Sequence, residues 1–140
     1  MAGEVREMPL RVLVADDHSG MRDALIRLLH EDFEIVATVG NGLAAVSEAN
    51  RLEPDVLVLD IAMPVLDGMA AAARLKAAGS TSKIVFVSSL RDRELLFQSI
   101  ELGEVAFVAK DSIVADLLPA IRSVLAGRSF VSPSFARSLT

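Results

Sequence analysis

Asp55-Val-Leu-Val-Leu-Asp60-Ile-Ala-Met-Pro-Val-Leu-Asp67-Gly68 is the stretch that decides the fold. Val56–Leu59 is apolar at every position rather than at every second one, as expected of a strand covered on both faces. It stops on the carboxylate of Asp60. Pro64 and Gly68 then shape a turn, and Ala70–Ala78 follows with helical periodicity up to Gly79, a natural C-terminal stop.

The same unit recurs in both directions along the chain. Leu10–Ala15, Glu34–Val39, Ile84–Val87 and Val105–Ala109 read as further buried strands, rich in β-branched residues. Met21–His30, Leu43–Leu52, Glu94–Leu102 and Ile113–Ala126 read as helices, the last two stopping at Gly103 and Gly127. Strands alternating with helices of this length indicate βαβ units, and so a parallel sheet with helices on both sides. Arg128–Thr140 differs in character. Ser132-Pro133 supplies a cap and a first helical position, with Phe135 and Leu139 four apart behind it, so a further helix or linker is expected to start there.

Bulk properties narrow the function classes. The chain has 140 residues, 52% of them hydrophobic, which suits one domain with a sizeable core. No apolar run approaches the roughly 18 residues of a membrane span, and Met1–Glu7 lacks a signal-peptide core, so a cytoplasmic location is expected. Without cysteine there is neither disulfide nor thiol chemistry. A net charge of -5 argues against this segment gripping a nucleic-acid backbone by itself. Six Phe with neither Trp nor Tyr leave few platforms for stacking on bases.

The polar residues are informative through their placement. The first strand ends in Asp16-Asp17, the third in Asp60, the fourth in Ser88-Ser89 and the fifth in Lys110. In a parallel sheet these positions share the carboxyl edge, where open α/β sheets bind ligands. Three carboxylates there repel one another unless a cation sits among them. Hard oxygen donors with room for water suit Mg²⁺. Its two charges, with the one on Lys110, balance the three carboxylates. A phosphoryl group added to one carboxylate would upset that balance and bring acceptor oxygens, for which Ser88 and Lys110 are matched donors. Any one of these residues has an ordinary explanation as a helix cap, a turn residue or a solvated lysine. Their joint occurrence does not. His18 and His30 lack the spacing of a histidine metal site.

At Asp16-Asp17, Asp60-Ile-Ala-Met-Pro-Val-Leu-Asp67-Gly68, Ser88 and Lys110, the chain resembles a bacterial response-regulator receiver domain over about residues 9–127. The resemblance implies a flavodoxin-like (βα)5 three-layer sandwich with strand order 2-1-3-4-5. It implies that Asp60 is the phosphoryl acceptor, that Asp17, Asp60 and the Ala62 backbone carbonyl hold Mg²⁺ (or Mn²⁺), and that Asp16 does so through water. Ser88 and Lys110 would hold the phosphoryl oxygens. Ser88 and Phe107 would be the switch pair, Phe107 turning inward on activation. Asp67 is expected to cap a helix rather than bind metal. Apolar Ala62 and Leu90, two positions beyond Asp60 and Ser88, imply a long-lived phosphorylated state.

Lys110-Asp111 and Ala120–Phe130 are similar to receivers of the NarL/LuxR (FixJ-like) type, which precede a DNA-binding helix-turn-helix. On that resemblance, residues 1–8 are an N-terminal tail and 128–140 a linker or the start of a linker helix. The partners implied are a sensor histidine kinase and a second copy in a homodimer. DNA would be reached only through a C-terminal domain absent from this chain, and no membrane is involved. The domain would accept a phosphoryl group rather than act as an enzyme.

Three other readings compete with this one. Gly40-Asn-Gly42-Leu-Ala-Ala45 fits a dinucleotide-binding fingerprint, with Asp60 about twenty residues on. That reading leaves Asp16, Asp17 and Lys110 without a role, and turn geometry accounts for both glycines. A stand-alone receiver or pseudo-receiver, serving as an interaction module, would keep the fold without the chemistry. Haloacid-type phosphatases want D-x-D after the first strand, and Asp16-Asp17-His18 does not supply it.

Overall fold

The computed structural model describes residues 9–89 and 93–138. Its elements are β1 (Arg11–Ala15), α1 (Ser19–Leu29), β2 (Glu34–Val39), α2 (Gly42–Leu52), β3 (Val56–Asp60), α3 (Gly68–Ala77) and β4 (Lys83–Ser88). There follow α4 (Arg93–Ile100), β5 (Val105–Ala109), α5 (Ile113–Leu125), β6 (Phe130–Val131) and α6 (Pro133–Ser138). A single 3₁₀ turn at Lys110–Ser112 joins β5 to α5.

The strands form one parallel sheet in the order β2-β1-β3-β4-β5-β6. Alternate residues divide between two cores. Leu13, Leu57, Leu59, Phe86 and Phe107 face α2, α3 and α4 with Ala45, Ala72, Leu75 and Leu96. Val12, Val14, Val58, Val85 and Val108 face α1 and α5 with Leu25, Leu29, Leu117 and Ile121. This two-sided burial is why the strands read as unbroken apolar runs.

The expected flavodoxin-like order 2-1-3-4-5 is present, with one addition. Phe130 and Val131, expected to lie in a linker, instead pair with Ala106 and Phe107 as a sixth strand. Two residues carry too short a pattern to be read as a strand, and it is the open flank of β5 that makes them one. α6 begins at Pro133, as the Ser132-Pro133 pair suggested, and buries Phe135. The tail of residues 1–8, Leu90 and Leu139 lie outside the described residues.

A parallel sheet fed by βα turns delivers every strand end to one edge. Asp67 closes the turn after β3 by accepting the Ala70 N–H at 2.7 Å, which starts α3. Asn41 does the same for α2 through the Ala44 N–H at 2.8 Å. Both caps satisfy donors that a helix N-terminus leaves without partners.

Candidate functional site

The site is built from four strand ends. Asp16 continues β1, its N–H bonded to the Val39 carbonyl at 3.0 Å. Asp60 is the last residue of β3, and Ser88 the last of β4. Lys110 follows β5 at the start of the 3₁₀ turn. Asp16, Asp60 and Ser88 are buried, and the Lys110 side chain is nearly so.

Lys110 Nζ stands 3.2 Å from Asp60 Oδ2 and 3.5 Å from Asp16 Oδ2. One ammonium thus lies between two buried carboxylates. Asp60 Oδ1 accepts the Ala62 N–H at 3.2 Å, and Asp16 Oδ1 accepts the His18 N–H at 2.9 Å. Asp16 Oδ2 has no hydrogen-bond partner although it is buried. A buried carboxylate oxygen with no donor is costly unless something else meets it. Asp17, about a third exposed, completes the group. Ligand atoms of Asp16, Asp17, His18 and Asp60 all lie within 4.8 Å of one another.

Burial pushes the Asp60 carboxyl above the usual carboxylate range, and the negative charge of Asp16 pushes it further. Lys110 and the Ala62 N–H pull the other way without cancelling the rise. Asp60 therefore holds its proton to higher pH than a solvated aspartate does. Three carboxylates facing one lysine leave an excess of two negative charges. A divalent cation with oxygen preference matches both that excess and Asp16 Oδ2, which faces Lys110 Nζ at 3.5 Å without a hydrogen bond, so the donor set fits Mg²⁺.

The backbone holds Asp60 from behind. A Cβ on Gly68 would come within 2.2 Å of the Asp60 carbonyl oxygen, so α3 packs directly on the strand end that carries Asp60. A Cβ on Gly42 would meet the Leu66 carbonyl at 1.9 Å. Gly42, one of the glycines of the dinucleotide-like pattern, is thus taken up by packing α2 against the loop after Asp60.

Asp16, Asp17, Asp60 and Lys110 are brought together as the sequence suggested, and Ser88 lies on the adjoining strand, paired with Ala109. Phe107 is buried, tilted against Phe86 at 6.3 Å and edge-on to Phe135 at 4.7 Å. The sequence reading did not anticipate three participants. His18 places Nδ1 3.0 Å from Asp17 Oδ1. Arg22 donates to the Asp16 carbonyl at 2.6 Å and braces the β1 end. Ser132 accepts the Ala109 N–H at 2.9 Å, next to Lys110. The position of His18 directly after the acidic pair was the available signal; for Arg22 and Ser132 there was none.

Comparison with known proteins gives a consistent answer. The response regulator receiver domain family matches residues 12–122. Among curated proteins, the chain is 43% identical over 112 residues to protein-glutamate methylesterase/protein-glutamine glutaminase 6 of Anaeromyxobacter dehalogenans, covering 79% of this chain and 32% of that protein. It is 31% identical over 133 residues to the oxygen regulatory protein NreC of Staphylococcus epidermidis, covering 93% of this chain and 61% of that one. The chain therefore spans between about a third and three fifths of these relatives. Among solved structures, the signal receiver domain of the response regulator NarL from Mycobacterium tuberculosis superposes with a TM-score of 0.81 at 28% identity, covering 86% of this chain and 99% of that one.

Proposed function

The chain belongs to the response regulator receiver domain family, of the NarL/LuxR type, and on that premise we propose that it is the phosphoryl-accepting switch of a two-component pathway, with Asp60 as acceptor. The observation that carries the reading is the Lys110 ammonium set between the buried carboxylates of Asp60 and Asp16.

A carboxylate oxygen of Asp60 attacks the phosphorus of a phosphohistidine on a partner kinase, or of a small acyl phosphate. The O–P bond of the aspartyl phosphate forms as the bond to the donor breaks, and the donor atom leaves with its electron pair. Lys110 and Ser88 hold the phosphoryl oxygens, so most of the catalysis is positioning and charge neutralisation. Mg²⁺, or Mn²⁺ in its place, supplies Lewis-acid neutralisation, and Asp17, Asp60, the Ala62 carbonyl and, through water, Asp16 are the residues that would hold it.

Ser88 and Phe107 form the switch. Movement of Ser88 toward the phosphoryl group biases a two-state equilibrium of the flank formed by α4, β5 and α5. Phe97 and Ile100 are exposed one helical turn apart on α4, which suits a readout by self-association. The output is control of transcription from the cytoplasm, through a helix-turn-helix beyond residues 9–127, with residues 128–140 as linker. No helix among the described residues is long and apolar enough to cross a membrane. The apolar side chain of Ala62 cannot orient an attacking water, so the aspartyl phosphate is expected to decay over minutes or longer; Leu90, the other residue behind that expectation, is outside the described residues.

The test is intact-protein mass after incubation with acetyl phosphate and Mg²⁺. One added phosphoryl group on the wild type and none on Asp60→Asn supports the reading. Addition to both would place the acceptor elsewhere. No addition, with no uptake of beryllofluoride, would leave an interaction module that keeps the fold alone.

A further inference from the structure

Residues 130–135 grip β5, the strand that ends in Lys110, and α5 behind it. Phe130 and Val131 pair with Ala106 and Phe107. Ser132 is fully buried and ties the segment to β5 and α5 by three bonds: its N–H donates to the Phe107 carbonyl at 2.9 Å, its Oγ accepts the Ala109 N–H at 2.9 Å, and its hydroxyl donates to Asp116 Oδ2 on α5 at 2.7 Å. Phe135 seats its ring edge-on against Phe107, whose other side meets Phe86.

These contacts end close to the chemistry. Ala109 is one residue before Lys110, and Phe86 is two before Ser88. The segment thus anchors the backbone one residue before Lys110 through one hydrogen bond, and reaches the β4 strand that ends in Ser88 through Phe107 in a row of three rings. A lysine on a flexible four-carbon stem holds its ammonium in place only if its backbone is anchored. After β5 the chain enters a single 3₁₀ turn, which supplies little rigidity of its own.

We propose that residues 130–135 are a positioning element for phosphoryl transfer, with Ser132 setting Lys110 and Phe135 setting Phe107, so that docking of this segment and loading of the Asp60 site stabilise each other. This rests on the phosphoacceptor reading above. Because coupling between two sites is reciprocal, it reads out from both ends. A weakened dock lowers affinity for a phosphoryl mimic, and the bound mimic tightens the dock. The strap thereby carries the state of Asp60 to whatever follows residue 138.

The experiment uses the 140-residue chain with Mg²⁺ and beryllofluoride, bound ligand being measured by fluorine NMR and strap opening by amide exchange over residues 130–135. Ser132→Ala and Phe135→Ala are each expected to weaken beryllofluoride binding about tenfold. In the wild type, beryllofluoride is expected to slow exchange in the strap by a similar factor. Leu29→Ala, a core truncation on α1, which packs on β1 and β2 at the opposite edge of the sheet from the strap, controls for general loss of stability and is expected to leave affinity within twofold. Should Phe135→Ala not fold, Phe135→Leu replaces it. Affinities within twofold of wild type in the Ser132 and Phe135 variants, or exchange unaffected by the mimic, would overturn the inference alone. A wild-type chain that takes up no beryllofluoride would overturn the phosphoacceptor reading, and this inference with it.

Discussion

The two ends of the sheet are both lined with polar residues, and they use them in opposite ways. At the amino end, the Arg11 N–H bonds Asp55 Oδ2 at 2.8 Å. Its guanidinium bonds the Leu52 and Glu53 carbonyls at 2.6 and 3.3 Å, closing the C-terminus of α2. The Ser82 hydroxyl donates to the Pro54 carbonyl. Each of these groups completes a helix end or a loop. At the carboxyl end, Asp16 Oδ2 is buried with no hydrogen bond, only the Lys110 ammonium at 3.5 Å, and burial with a neighbouring charge lifts the Asp60 carboxyl above its ordinary range. Open space does not mark the difference: a cleft of about 270 Å³ lies at the amino end, between Asn50, Glu53, Gly79 and Ser80. What separates a site from a well-made surface here is unsatisfied valence rather than volume.

The largest expected effect tests how tightly each end is built. Gly68→Ala drives a Cβ to 2.2 Å from the Asp60 carbonyl oxygen and 3.0 Å from Ile61 Cα, backbone atoms that have no rotamer to yield. It should cost about 3 kcal/mol or more in urea unfolding and abolish beryllofluoride uptake. Gly79→Ala, at the amino end, meets nothing within 4 Å and bears only the cost of its φ of +85°, about 1 kcal/mol. Equal losses from the two would show that the carboxyl end is no more constrained than the other.

Arg11→Met separates stability from chemistry. It removes the donors to two α2 carbonyls while keeping the aliphatic stem, so a loss of about 1–2 kcal/mol is expected. Mg²⁺ affinity by calorimetry should be unchanged. A weaker Mg²⁺ site in this variant would mean that the two ends are not independent.

Asp60→Asn should go the other way. The folded-state pKa of Asp60 lies above its unfolded value, so the folded state holds its proton to higher pH. Stability of the wild type therefore falls as pH rises from the unfolded value through the folded one. Asparagine removes this loss. A gain of about 1 kcal/mol would raise Tm by roughly 4 °C in a chain of this size, with the wild type and variant converging in acid. Mg²⁺ should raise the wild-type Tm, by about 2.7 kcal/mol of stabilisation at a hundred times Kd, and raise that of Asp60→Asn far less. A variant less stable than the wild type at pH 7 would overturn this account of the site.

Most of this contrast is legible in the sequence. Asp16, Asp17, Asp60 and Lys110 each follow an apolar run, and a parallel sheet brings such ends together whatever the loops do. Phe130–Val131 was not legible as a strand, because two residues have no period and pair only where β5 offers an open side. Ser132 was read as a helix cap from its proline neighbour. Its hydroxyl instead ties Ala109 to Asp116, partners 23 and 16 residues away that no local pattern announces. Arg22 on the Asp16 carbonyl is hidden for the same reason.

The smallest effect concerns backbone strain, which both ends carry. Glu53 has φ of 50° and Val65 has φ of 71°. Glu53 closes α2, its N–H on the Ala49 carbonyl, a place where a left-handed residue is routine. Val65 is different. The Leu66 N–H bonds the Pro64 carbonyl at 2.8 Å, closing a three-residue turn around a β-branched side chain that strongly disfavours this conformation. Val65 is 72% exposed, so replacing it removes little packing. Relief of strain, about 1–3 kcal/mol, should outweigh the extra freedom glycine gives the unfolded chain, about 0.5–1 kcal/mol. Val65→Gly is thus expected to stabilise by about 1 kcal/mol, and Glu53→Gly by less, since an unbranched residue at a helix end has less strain to release. The two should part in Mg²⁺ affinity. Only the Val65 turn lies in the loop that carries Ala62, so loosening it should leave the cation bound no more tightly, and up to about threefold more weakly, despite the gain in stability. If Val65→Gly binds Mg²⁺ more tightly than the wild type, strain in that loop opposes the site rather than holding its shape.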